Sequence, residues 1–395
     1  MTSKRSQIQI RPANLISPAL RHWRHTLPLG LTFGLPQLLR AENQVDYRYE
    51  YYNEDNNRMS IYTHSVYFEQ KLVDAVTAKG ELVYDGISGA TPKGTLLPSG
   101  QIALTHLQDN RRSISLEFDG KIGNNTLTPG FAYSKESDYE SYGLSLNDAI
   151  DFNDKNTTLQ YGVSQNFDSV RNTDYNTGKF NWSDKYSTEG IIGISQLLSP
   201  KTIFTADFTF GNDSGYLSDP YRLANYLPTG FPQSVGVPER RPSHRNKEIL
   251  YASLTHHFDA VNASLEGSYR FYNDSYGVVA NTAGLSWHQW LGKHLIVEPF
   301  FRFYEQSAAN FYATTFNGPF TINPNGPPGL HSSDYRLSEL YTTDAGLEAT
   351  GVINDHVHIV AGYHRYEMHG LGGSAAPSAM YPQANVFTIG FSILW

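Results

Sequence analysis

The chain reads as all-β: a transmembrane antiparallel up-and-down barrel of about sixteen strands, with long extracellular loops and short periplasmic turns. Three observations predict this class. The last ten residues, VFTIGFSILW from Val386 to Trp395, alternate in polarity and end on an aromatic side chain. The composition is rich in aromatics yet polar on average. The connections between candidate strands sort into long and short sets by parity.

In the closing segment Phe387, Ile389, Phe391, Ile393 and Trp395 share one parity, while Thr388, Gly390 and Ser392 share the other. Successive side chains of a strand point to opposite faces, so the segment has one apolar and one small or polar face. Outer-membrane barrels of Gram-negative bacteria typically end on such a strand. Phe387, Phe391 and Trp395 are therefore the expected barrel-closing signature, on a final strand that pairs with the first near Val45 to Tyr52.

Aromatic residues make up 13% of the 395 residues, with 27 Tyr and 21 Phe, while only 39% of residues are hydrophobic. The mean hydropathy of −0.43 stays low because alternation cancels it along each strand. No stretch reaches the eighteen or so apolar residues of a membrane helix. A tyrosine-rich secreted β protein is the alternative that composition alone leaves open. The absence of cysteine excludes disulfides, thiolate metal sites, covalently attached haem and a cysteine nucleophile. A net charge of −8 argues against a nucleic-acid partner.

Residues 1–41 differ from the rest. Lys4, Arg5, Arg11, Arg21 and Arg24 precede an apolar run from Leu27 to Leu39, and no acidic residue occurs before Glu42. This outlines a signal peptide over 1–41, with Ala41 a candidate for the small residue of a cleavage site, followed by one barrel domain over 42–395. A disordered leader is the alternative, because Pro28, Gly30 and Pro36 interrupt the apolar run.

From Val45 onward, segments of about ten residues alternate, the length that a tilted membrane strand needs. Phe204, Ala206, Phe208 and Phe210 oppose Thr205, Asp207 and Thr209. Likewise Leu265, Tyr269 and Phe271 oppose Glu266 and Arg270, and Val297, Phe301 and Phe303 oppose Glu298 and Arg302. The charged face is the expected lumen. Every second connection is short and polar: LVDAV, GKIGN, FNDKN, LSPK, DAVN, LGKH and VINDH. The other set holds the expected long loops, 86–110, 168–187, 212–246, 307–334 and 368–384. A β-sandwich has no reason to segregate loop length by parity, whereas an outer-membrane barrel does.

Six stretches carry a family resemblance: YDGISGATP (84–92), GYLSDPYR (215–222), PERRPSHRN (238–246), YRFYNDSYG (269–277), FRFYEQSAANFY (301–312) and SSDYRLS (332–338). With these the chain resembles domain-of-unknown-function family 3570, a Gram-negative envelope family. The resemblance implies an outer-membrane barrel without an assigned activity. It also implies envelope redox biology, because members are often encoded near thioredoxin-like and flavin-transferase proteins.

Candidate functional residues lie in the loops and on the lumen face. Asp219 and Arg222 belong to GYLSDPYR, where Asp219-Pro220 is also a turn signal and Arg222 a candidate partner for a lumen carboxylate. Arg240, Arg241 and Arg245 form a basic cluster that would attract anions at a pore mouth, or neutralise lumen acids in a plugged barrel. Glu266, Arg270, Glu298 and Arg302 are the candidate lumen charges. His294, His356, His358 and His364 share the inward parity but more often line a wet lumen than bind metal, so no metal or cofactor is expected. No G-x-S-x-G elbow, P-loop, H-E-x-x-H or EF-hand loop occurs, and no enzyme is expected; a dispersed outer-wall Ser–His pair is the enzymatic alternative.

The functional expectation is a porin-like channel or transport pore in the outer membrane of a Gram-negative bacterium, inserted by the barrel-assembly machinery. The alternative is a scaffold that docks or sheaths an envelope redox partner. Any haem redox centre would then belong to that partner.

Overall fold

The computed structural model describes residues 43–319 and 329–395, apart from residues 98, 100, 175 and 176. The expected leader over 1–41 lies outside the described residues. The strands are β1 (Asn43–Glu54), β2 (Met59–Val73), β3 (Val76–Leu96), β4 (Ile102–Ile122), β5 (Asn125–Lys135), β6 (Tyr139–Phe152), β7 (Thr157–Asp174), β8 (Lys179–Ser199) and β9 (Thr202–Gly215). They continue as β10 (Leu223–Pro228), β11 (Val235–Pro238), β12 (His244–Phe258), β13 (Ala263–Asp274), β14 (Val279–Leu291) and β15 (Leu295–Gln306). The last are β16 (Phe316–Gly318), β17 (Leu340–Asn354), β18 (Val357–Gly370) and β19 (Gln383–Leu394).

Sixteen of these close one antiparallel barrel, in which each strand pairs with its sequence neighbour and β1 pairs with β19. Closure leaves no unpaired edge, which is the condition for a sheet to cross a bilayer. The closing register sets Tyr47 opposite Phe391 and Tyr51 opposite Phe387. At the turn end the Trp395 amide donates to the Asn43 carbonyl at 3.1 Å, which ties the two termini of the barrel together.

Sequence parity becomes geometry. Leu82, Ile192, Phe208, Phe271, Leu285, Phe301, Leu347, Ile359, Phe387, Ile389, Phe391 and Trp395 stand exposed on the outer wall. Thr205, Ser253, Glu266, Ser286, Asp344, Thr388 and Ser392 are buried on the inner one. An exposed apolar band on a closed barrel is a lipid-facing surface, so the wall resides in a bilayer.

The seven short turns close as expected. Asn153, Asp154 and Lys155 adopt positive φ between β6 and β7, as does Asn262 between β12 and β13. Asn and Asp tolerate the left-handed region better than most residues, which suits them to these turns.

Two expected long loops are instead hairpins. β3 and β4 pair from Val76↔Gly120 to Leu96↔Ile102, through most of the expected loop 86–110. β7 and β8 pair from Phe167↔Tyr186 to Asp174↔Lys179, through most of 168–187. Ladder pairing satisfies the backbone there, so polar side chains do not force a loop.

Two of the three remaining long connections, 212–246 and 307–334, fold together. β10 pairs antiparallel with β11 and parallel with β16, joining the β9–β12 and β15–β17 loops in a small sheet. An isolated bridge between Arg240 and His331 continues the union.

Candidate functional site

The two united loops form a plug across the loop end of the barrel, and its contacts reach the wall on several sides. Tyr335 packs with Leu340, Tyr366, Met368 and Tyr381. Leu337 packs with Tyr276, Val278 and Phe311, with Leu217 and Tyr272 beside them. Gln306 Nε2, on β15, donates to the Arg336 and Ser338 carbonyls at 3.0 and 2.8 Å. Arg222 Nη2 donates to Thr91 Oγ1 of β3 at 2.8 Å, and the Tyr221 hydroxyl donates to Asp138 between β5 and β6. The β3 hairpin closes from above, where Gly94 has φ +99° and an added Cβ would lie 2.4 Å from the Leu223 carbonyl oxygen. Only glycine lets these two backbones approach so closely.

At the centre of the plug lies Asp334, fully buried. It accepts from Arg336 Nε at 2.9 and 2.8 Å and from Arg241 Nη2 at 2.7 Å. Arg222 Nε stands 4.0 Å away. Arg336 also pairs with Asp219, and Arg241 Nε lies 2.7 Å from Glu239. Glu239 in turn accepts from Ser332 Oγ at 2.6 Å and from the Asp219 amide at 2.5 Å. Three guanidiniums thus face three carboxylates, a balance that makes burial of Arg222, Glu239 and Asp334 and partial burial of the other three tolerable. Burial works against ionisation of Asp334, but Arg336, Arg222 and Arg241 outweigh it and hold the carboxyl below its usual range. Burial also pushes the Glu239 carboxyl up, with Arg241 opposing.

The singled-out residues fall into three groups. Asp219, Arg222 and Arg241 meet in the Asp334 network. In GYLSDPYR, the Arg222 amide donates to the Asp219 carbonyl at 3.1 Å, so Asp219-Pro220 does form a turn. Arg222 nevertheless faces plug carboxylates rather than one on the lumen wall, because the second loop carries Asp334 to it.

The basic cluster is the second group, and it is divided rather than presented as a ring. Arg240 is exposed and bonds His331 through its backbone. Arg241 faces the plug, and Arg245 is clamped to Asp274 of β13 at 2.8 and 2.5 Å with its guanidinium over Tyr276. Adjacent arginines in an extended segment point opposite ways, so sequence proximity did not translate into a joint site.

The third group stays on the inner wall. Glu266 accepts from Thr255 Oγ1 at 3.2 Å, and Glu298 pairs with His288 at 3.0 Å. Arg302 lies over the Tyr304 ring and opposite Asp344 in register, while Arg270 stands opposite Tyr251 and Thr282.

The four histidines do not converge on one site. His294 and His356 lie at the turn end beside the Val352 and Leu394 carbonyls. His364 sits 2.6 Å from Asp344, and His358 lies opposite Ser392 of β19. Among the described residues, the one group with metal-ligand proximity is Asp109, Glu136 and Asp138 at the loop-end rim. Two of its members are engaged: Ser137 Oγ donates to Asp109 at 2.7 Å, and Tyr221 donates to Asp138.

Sequence reasoning passed over Asp334, Arg336 and Glu239 as individual residues. All three lie in stretches that carry the family resemblance, SSDYRLS and PERRPSHRN, which was the available signal. A cavity of about 180 Å³ separates the plug from the wall beside this network. Its lining draws on four of the six resembling stretches, from GYLSDPYR to SSDYRLS.

A family model described as "Protein of unknown function (DUF3570)" matches residues 34–102 and 97–395. The chain belongs to this family. No curated protein matches it in sequence. Among solved structures, this DUF3570 member is similar to a bacterial polysaccharide outer membrane secretin, with 9% identity and a TM-score of 0.48, covering 90% of this chain and 99% of that one. OccK8 (OprE) of Pseudomonas aeruginosa has 9% identity and a TM-score of 0.44, with 89% and 98% covered. The siderophore receptor PirA of Pseudomonas aeruginosa has 10% identity and a TM-score of 0.44, with 90% of this chain and 62% of that chain covered. Likeness at this level says nothing about what passes through or binds to the DUF3570 barrel.

Proposed function

We propose that the protein is an outer-membrane transport pore whose extracellular mouth is closed at rest by the two-loop plug. The observation that supports this reading is the clamp on Asp334. A purely structural barrel needs no six-charge network, centred on a buried Asp334, across its mouth. An ion-pair network, by contrast, has partners that can be exchanged for solute or water, so it holds a plug that can also let go. Beneath the plug, the inner wall carries acidic and basic side chains such as Glu298 and Arg302, as the lumen of a passage would.

Single-channel recording on purified protein in planar bilayers tests the proposal. The expected behaviour is a mostly closed barrel with discrete openings. A barrel that stays silent under all voltages and co-purifies with an envelope protein would overturn the transport reading and favour a scaffold.

A further inference from the structure

The cavity between plug and wall has a definite chemical character. Four cationic side chains reach its surface, Lys185 from the wall and Arg241, Arg245 and Arg336 from the loops and rim, against the three carboxylates Asp138, Asp213 and Asp219. Charges of both signs are already paired: Lys185 lies 3.6 Å from Asp168, and Arg241 bonds Asp334 at 2.7 Å. Asp213 pairs with Lys247 at 3.0 Å, Asp219 pairs with Arg336, and Asp138 accepts from Tyr221. Burial, reinforced by Asp109 and opposed by Arg171, raises the Asp138 carboxyl. Arg245 spends Nε and Nη2 on Asp274, so its Nη1 hydrogens are not used there.

Apart from Ser218, the rest of the lining is aromatic and aliphatic. Tyr276 is buried under the Arg245 guanidinium at 4.6 Å, and the Lys185 ammonium lies 6.0 Å from the Tyr139 ring centre. Val170 and Leu217 add apolar surface. Flat apolar walls with converging cations are the usual make-up of a site that orients a small organic anion. The size agrees, since an apolar protein cavity of roughly 150 Å³ holds a benzene ring.

We infer that this cavity binds a small organic carboxylate from the extracellular side, its apolar body against Tyr276, Tyr139 and Val170 and its carboxylate among Lys185, Arg241 and Arg245. Arg241 is also bonded to Asp334. A carboxylate that draws on Arg241 therefore competes with the clamp, and this consequence rests on the plugged-pore reading. Binding itself does not.

Titration calorimetry of the full-length barrel in detergent tests the site with benzoate, using benzylammonium as a size-matched cation. Benzoate is expected to bind saturably at one per chain, and benzylammonium not to bind. Val170→Trp fills the cavity without altering a charged group and is expected to weaken benzoate by at least about tenfold. Leu217→Trp fills it from the plug side and serves as the second variant, with heat-modifiable migration reporting the fold of each. Absence of benzoate binding, equal binding of benzylammonium, or unchanged affinity in both folded Trp variants would overturn the assignment. A chain that conducts but has no benzoate affinity overturns the cavity site alone. One that binds benzoate but never conducts overturns the transport reading alone.

Discussion

Asp334 and Arg241 meet at 2.7 Å across a separation of 93 residues, each from a different loop, and they join those loops into one body. Removing the carboxylate leaves a buried Arg222 and the partly buried Arg241 and Arg336 without their common partner, a loss of about 3–5 kcal/mol in comparable buried pairs. Asp334→Asn should therefore release the plug while the barrel, held by sixteen paired strands, stays intact. Limited trypsin digestion checks this. Arg222 is buried in the native protein, and cleavage after it should appear in the variant with no loss of heat-modifiable migration.

The architecture was largely legible in the sequence, because a barrel has one apolar and one polar face and period-two alternation displays both. Phe387 to Trp395 is the clearest case, since its outward parity and its pairing with β1 follow from the pattern alone. The plug was not legible for the same reason. β10, β11 and β16 are too short to show a period, and they lie in Pro- and Gly-rich stretches that read as loop. The parallel pairing of Tyr226 with Phe316 joins residues 90 apart and leaves no local trace. The Asp334 network belongs to tertiary contact of this kind. The hairpin extensions of β3 and β7 failed differently, since polar side chains above the membrane conceal a ladder that needs no apolar face.

Gly94 provides a test of the hairpin that covers the plug. Its φ of +99° and its approach to the Leu223 carbonyl exclude a branched side chain. Gly94→Val should cost roughly 1–3 kcal/mol from backbone strain alone and detach the hairpin tip from β10. Hydrogen exchange at residues 223–228 should rise in the variant, and protection across the closing strands β1 and β19 should remain.

The rim loop between β5 and β6 should respond to pH. Burial pushes the Glu136 carboxyl up to about 7, with Arg111 opposing and Asp138 and Asp109 reinforcing. Because the folded value lies above the unfolded one, the contribution to stability is full at acidic pH and is lost as pH rises through about 7. Wild-type thermal stability should therefore decline from about pH 4.5, the unfolded value, to about pH 7 and level off above it. Glu136→Gln should flatten the decline. An identical pH profile in the two proteins would remove Glu136 as its source.

Closure of the barrel makes a prediction about the terminus. Phe387 and Phe391 on β19, and Trp395 just after it, face outward, and β1 pairs with β19 from Ala384 to Leu394. Deleting residues 391–395 exposes unpaired backbone on β1 and β18 within the bilayer, where each unsatisfied group costs several kcal/mol. The truncated chain should fail to form a heat-modifiable barrel in vesicles, as judged by electrophoretic migration before and after boiling.

Planar-bilayer recording of wild type beside Asp334→Asn shows most directly whether a clamp on Asp334 keeps a transport pore shut. The wild-type barrel should dwell closed, and the variant should show long-lived openings of uniform conductance. Equal open probability in the two, with the variant's plug demonstrably cleavable after Arg222, would contradict the account.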